Sequence, residues 1–228
     1  MKSSIKVSLV ITALIVVFTS CGNQSTETSE KKSDTTTAQN SNATTDTSAR
    51  HHDMGNMSMD NSLMSSMNSM TSRMQKMNMT GDFDVDWANM MIEHHQGALD
   101  LAQMELKQGK DEKMKSKAQE ILTKQKEEQG KLRDFVSSYK PSGMKLGEGE
   151  LQKSMQTMMD QMKGMHRSGD MDKDFAEMMR AHHQDGISMA KMEVKNGMSK
   201  ELKQMAQKSI DEQQKDITEF KNWLSQHQ

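Results

Sequence analysis

Apolar residues recur at helical spacing along most of this 228-residue chain. Leu63, Met67, Met70, Met74 and Met77 step by four, three, four and three, a heptad-like seam that predicts a Met-rich helix from Asn61. Gly81-Asp82-Phe83-Asp84 then opens a long helix, its acids suited to the positive end of the helix dipole, and Gly109 closes it. Asp111 to Tyr139 reads as a further helix, with Met114, Ala118, Leu122, Gln125, Gln129 and Leu132 on one stripe. Pro141, Gly143, Gly147 and Gly149 mark a boundary. Beyond it the plan returns: a Met-rich helix from Leu151 to His166, a break at Gly169, a helix from Asp174 to Asn196 stopped by Gly197, and a last helix from Met198 to Leu224. The last helix carries the stripe Leu202, Ala206, Ile210, Gln213, Ile217, Phe220 and Leu224. Two helical hairpins with one apolar face each bury those faces best against each other. The expected fold is therefore all-α, an antiparallel four-helix bundle, with the two Met-rich helices along or across it.

The second half repeats the first at an offset of 88 residues. Met90-Met91-Ile92-Glu93-His94-His95-Gln96 becomes Met178-Met179-Arg180-Ala181-His182-His183-Gln184, and Trp87, Ala88, Met104, Glu105 and Gly109 become Phe175, Ala176, Met192, Glu193 and Gly197. The Met seam repeats as Leu151, Met155, Met158, Met162 and Met165. The chain thus divides into a first repeat over 61–140 and a second over 149–228, joined in one bundle with a pseudo-twofold axis.

Composition sharpens this picture. Hydrophobic residues make up 33% and aromatics 4%, while methionine reaches 27; one proline in the whole chain favours helix throughout. A net charge of −2 from 30 basic and 32 acidic residues carries no nucleic-acid footprint. A single cysteine excludes an internal disulfide framework and Cys-based zinc or iron–sulfur sites. That cysteine ends a stretch with Lys2 and Lys6 before an apolar run from Val7 to Phe18, so residues 1–21 read as a bacterial lipoprotein signal with Cys21 as the acylated residue. The expected location is the cell envelope, facing the periplasm or the cell surface, anchored to the membrane by lipid. Residues 22–60 are too polar to offset their ordering entropy and read as a disordered tether. Its end gains His51, His52, Met54, Met57 and Met59, candidates for an auxiliary soft-metal tail or for simple compositional drift.

On a helical wheel at about 100° per residue, His94 and His95 lie within about 60° of Ala98, on the apolar side with Trp87 and Met91. His182 and His183 do the same in the second repeat, and Glu105 and Glu193 also fall near the buried face, as candidate auxiliary metal ligands. Four buried imidazoles without partners would cost several kcal/mol, so they need common ones, and a metal ion is an economical partner. Met90, Met91, Met178 and Met179 precede each histidine by one helical turn on the same side. A mixed imidazole–thioether set is soft and suits copper, as Cu(I) or Cu(II), with silver or zinc as competitors. The Glu-x-x-His motif of di-iron bundles is absent. Methionines along the seam itself are better read as core filler.

The stretches 91–105 and 179–193, Met-Ile-Glu-His-His-Gln-Gly-Ala-Leu-Asp-Leu-Ala-Gln-Met-Glu and Met-Arg-Ala-His-His-Gln-Asp-Gly-Ile-Ser-Met-Ala-Lys-Met-Glu, resemble the double-histidine signature of the DUF305 family, also called the CopM family. Gln213, Ile217 and Trp223-Leu224 resemble the family's closing helix, and the likeness spans roughly 82–228. It departs at Gln129, which stands where the second repeat has Ile217. The resemblance implies a ferritin-like bundle in an exported protein associated with copper handling. The leading expectation is a non-enzymatic copper-binding envelope lipoprotein that sequesters copper or passes it to another copper-handling protein. Two other classes compete: a metal-dependent redox enzyme on the same His cluster, and a metal-free structural lipoprotein whose histidines are hydrogen-bonded core. No nucleophile, cofactor loop or substrate-orienting polar set supports the enzyme.

Overall fold

The computed structural model describes residues 54–141, 148–165 and 167–227, all within the unit Thr47–Gln228. The signal segment, Cys21, the tether up to residue 53 with His51 and His52, and His166 lie outside the described residues, as do the side chains of Met54, Met57 and Met59. Six α-helices follow one another: α1 (Met54–Gln75), α2 (Phe83–Gln108), α3 (Glu112–Ser138), α4 (Glu148–Lys163), α5 (Met171–Asn196) and α6 (Lys200–Gln226). The chain is all-α, as its periodicity predicts, and among the described residues no helix is long and apolar enough to cross a membrane.

Helix α1 starts at Met54, so the last seven residues of the expected tether are helical. Once Leu63 and Met67 are buried, extending the helix towards the N-terminus adds one hydrogen bond per residue fixed. At the other end the seam outruns its helices. Met77 and Met165 lie beyond α1 and α4, where amides reach back three residues, Met77 N to Met74 O at 3.3 Å and Met165 N to Met162 O at 3.2 Å. The chain then turns through Gly81 (φ 85°) and Gly169 (φ 79°), a left-handed conformation that a side chain would strain.

Each of these turns is built by three aspartates, and each aspartate does a different job. Asp82 and Asp170 cap α2 and α5, accepting from Val85 N and Lys173 N. Asp86 reaches back to Thr80 N (2.7 Å), Thr80 Oγ1 (2.8 Å) and Gly81 N (2.9 Å), and Asp174 does the same to Ser168 N, Ser168 Oγ and Gly169 N. The middle aspartate crosses to the other repeat. Asp84 accepts from Met198 N (2.8 Å) and Ser199 N (2.9 Å) at the start of α6, while Asp172 accepts from Lys110 N and Asp111 N (both 2.9 Å) at the start of α3. These reciprocal bonds fix α2 and α5 antiparallel, with an acid at the positive end of each following helix.

Helices α3 and α6 also run antiparallel, because Lys117 near the start of α3 pairs with Asp216 (2.7 Å) and Glu219 (2.6 Å) near the end of α6. The four long helices thus pack as a bundle in which every neighbour is antiparallel. Helix α1 lies on α2, α4 lies on α5, and α1 and α4 also touch each other. Consequently α2 and α5 have neighbours on several sides. Seventeen of the 26 residues of α2 and fifteen of the 26 of α5 are buried, against eight of 27 in α3 and in α6. This central pair carries the histidines.

Candidate functional site

His94 and His95 sit mid-way along α2, and His182 and His183 mid-way along α5; all four are at most 2% exposed. Met90, Met91, Met178 and Met179 are buried in the same core. The rings of His94 and His182 stack across the helix pair with centroids 3.7 Å apart, and His95 and His183 lie 6.4 Å and 6.0 Å from their sequence neighbours. The antiparallel crossing of α2 and α5 therefore brings the two pairs into one quartet.

Each outer histidine rests on a carboxylate. His95 Nε2 lies 3.2 Å from Glu128 on α3, and His183 Nε2 lies 3.2 Å from Asp216 on α6. Glu128 and Asp216 are again one offset apart. A carboxylate only accepts, so Nε2 is the donor, and in the neutral ring Nδ1 is left as a bare lone pair. This carboxylate–imidazole arrangement is the one that fixes the tautomer and basicity of metal-binding histidines. Burial pushes both carboxylates up, but the histidine contacts, joined by Lys117 at Asp216 and by Lys208 and Lys131 near Glu128, outweigh it and hold both below their usual range.

At the centre, His182 Nε2 donates to the backbone oxygen of His94 at 2.9 Å, leaving its Nδ1 free. His94 has no hydrogen-bond partner at either ring nitrogen. Burial, then the neighbouring histidines, lowers the pKa of His94 well below its usual value; burial and His183 bring His182 down to about 3. Both are neutral imidazoles at physiological pH, the form that binds metals. In total, five ring nitrogens in a dry core lack partners: Nδ1 of all four histidines and Nε2 of His94.

Glycine at 186 makes the quartet compact. A Cβ there would collide with Gln213 Oε1 and come within 3.1 Å of the His94 ring. The donors fit a soft ion chemically, but their geometry sets a limit. Among the described residues no group of three or more His, Cys, Asp or Glu side chains is arranged to hold a metal ion.

Glu105 and Glu193, candidates for auxiliary ligands, are buried as the wheel predicts, yet they lie at the ends of the bundle, about 15 Å along the helix from the histidines at 1.5 Å per residue. Burial, then Asp172, pushes Glu105 up to about 9, and burial, then Asp84, pushes Glu193 up to about 8. Each is a neutral acid against the crossing aspartate of the other repeat. Glu128 and Asp216 were missed by sequence reasoning. The signal that could have found them is the shared offset of two acids on the helices that face the His pairs.

Two hairpins crossing to form a central His quartet define an all-helical bundle of duplicated double-histidine units. A family profile described as "Domain of unknown function (DUF305)" matches the chain twice, over residues 22–136 and 84–224, and the chain belongs to this family. A crystal structure of a DUF305 fragment from Deinococcus radiodurans matches 63% of this chain and 95% of its own, at 18% identity and a TM-score of 0.48. No curated protein matches the chain.

Proposed function

We propose that this protein is a non-enzymatic copper-binding protein of the cell envelope, held by a lipid on Cys21, that sequesters copper or hands it on. The observation that carries the reading is the set of five unpartnered ring nitrogens at the buried centre. A buried polar atom without a partner costs about 1–3 kcal/mol, so a purely structural core would be expected to satisfy or replace these groups. Copper(I) needs few ligands and accepts both imidazole nitrogen and thioether sulfur, which Met90, Met91, Met178 and Met179 supply from the adjacent turns. Silver(I) shares that chemistry; zinc would need a fuller nitrogen set. Copper here is cargo.

The test is equilibrium titration with Cu(I) and Cu(II) of the wild type and of the His94→Gln/His182→Gln variant. Glutamine preserves hydrogen bonding and most of the volume, so loss of copper without loss of helicity is the expected result. Copper binding equal to wild type in that variant would make the quartet structural and end this reading. For the anchor, Cys21→Ser should move the protein out of the membrane fraction; equal partitioning of both forms would exclude acylation at Cys21.

A further inference from the structure

Between α3 and α6 lies a narrow cavity of about 10 Å³, room for a single water. Every residue lining it is matched by its repeat counterpart on the other wall. Gln125 pairs with Gln213 and Glu128 with Asp216; Ile121 pairs with Ser209 and Lys124 with Glu212. The cavity therefore straddles the pseudo-twofold axis. Its solvent end is marked by Lys124 and Glu212, with side chains 41% and 27% exposed. Its inner end is marked by Glu128 and Asp216, each one hydrogen bond from a histidine of the quartet.

Gln125 and Gln213 are 5% and 3% exposed, yet the side-chain oxygen of each has no partner. The amide of Gln213 donates from Nε2 to Ser209 Oγ at 2.6 Å. Its oxygen lies against Gly186, the glycine that also borders the His94 ring. A chain of acceptors thus runs from the cavity to the centre of the quartet. The cations along the seam are already engaged, Lys117 with Asp216 and Lys124 with Glu120 (2.6 Å).

We infer that this axial seam is the gate through which a soft cation passes between solvent and the His quartet, with the Gln125 and Gln213 oxygens replacing part of its hydration shell and Glu128 and Asp216 supplying the negative charge. The inference rests on the reading that the quartet binds copper. Hydrated ions cross apolar packing poorly, whereas a carbonyl-lined constriction offers water-like oxygens in sequence. A gate alters the rates of uptake and release together and leaves equilibrium affinity alone.

The experiment follows Cu(I) transfer from a coloured Cu(I) chelate to the full chain by stopped flow, beside an equilibrium titration. Gln125→Leu/Gln213→Leu should slow both uptake and release by about tenfold or more, with unchanged affinity and helicity. Gln125→Glu should speed uptake and make it more salt-sensitive. Should the double leucine chain not fold, Gln213→Ala removes the oxygen without crowding or a new ligand and serves the same rate comparison. Wild-type rates in the leucine or alanine variant, with copper still bound, would overturn the gate while leaving the copper reading intact. Loss of affinity at an unchanged uptake rate would overturn it as well, by making the amides ligands. A wild-type chain that takes up no Cu(I) overturns both.

Discussion

In the first repeat His95 meets Glu128 at 3.2 Å, and in the second His183 meets Asp216 at the same distance. Beyond that contact the two supports part. Asp216 also receives Lys117 from the other hairpin at 2.7 Å, a lysine 7% exposed whose own repeat counterpart is Met205. Burial alone would lower the pKa of Lys117, but its bonds to Asp216 and Glu219 outweigh that and raise it. Among the described residues, Glu128 has His95 as its one close ion-pair partner. At the centre the pattern breaks again: His182 bonds the His94 backbone, and the reciprocal bond is missing. The duplicated backbone gives the two pairs the same position, while unpaired substitutions on the neighbouring helices give them different support. Duplication fixes where a site lies; divergence tunes what holds it.

The largest expected effect tests that difference directly. Asp216→Ala takes from buried Lys117 the most buried of its three carboxylates and from His183 its acceptor, and should cost about 3 kcal/mol, since breaking a buried pair is strongly destabilising. Glu128→Ala leaves only a histidine and should cost about 1–2 kcal/mol. Urea midpoints at constant slope measure both. Equal losses would mean that Lys117 draws its stability from Glu219 and Glu120, and the asymmetry would carry no weight.

A second comparison sets the bundle ends against its centre. Glu105 and Glu193 have folded pKa values raised to about 9 and about 8, above the ordinary 4.5. Their contribution is complete below pH 4.5 and is lost as pH rises through 8 to 9, since the unfolded chain ionises first. Thermal midpoints of the wild type should therefore drop by several degrees from pH 5 to pH 9. Glu105→Gln/Glu193→Gln, which mimics the neutral acids, should flatten that slope. Burial alone raises Asp185 to about 7, so Asp185→Asn should remove a smaller part of it. A slope that survives all three substitutions would show that these acids ionise without strain in the folded chain.

The smallest effect separates α1 from α4. Met70 packs on Gly97, where an added Cβ would collide with its side chain; the counterparts are Met158 and Asp185, where α4 has no such glycine to settle on. Met70→Leu and Met158→Leu should each cost under about 1.5 kcal/mol, with the Met70 change the larger because a branched side chain is harder to seat at that close approach. Neither should alter copper binding, whereas leucine at Met90, Met91, Met178 and Met179 should weaken Cu(I) more than Cu(II). Loss of Cu(I) in the seam variants alone would move the metal to the Met-rich helices.

Much of this molecule is legible in its residues because its signals are local. Three-to-four spacing places five of the six described helices within about three residues, and α1 starts seven residues ahead of the expected Asn61. The wheel places His94, His95, His182, His183, Glu105 and Glu193 on the buried side, since helical phase follows from geometry within one element. The repeat implies that the two His pairs occupy equivalent positions. The aspartates of Asp82-Phe83-Asp84-Val85-Asp86 read only as acids suited to a helix start. That one caps, one crosses the bundle and one ties the turn depends on chain segments as far as 115 residues away.

The residues alone therefore establish the helices, their duplication, and which faces are apolar. Tertiary structure decided the rest. It stacked His94 on His182, put Glu128 and Asp216 behind the outer rings, and sent Glu105 and Glu193 to the ends as neutral acids. It also covered α2 and α5 with α1 and α4. The physical reason is range. Helix formation and amphipathic phase are set by residues within a turn or two of each other. Hydrogen-bond satisfaction and pKa in a dry core depend on which helices meet, and at what offset they cross.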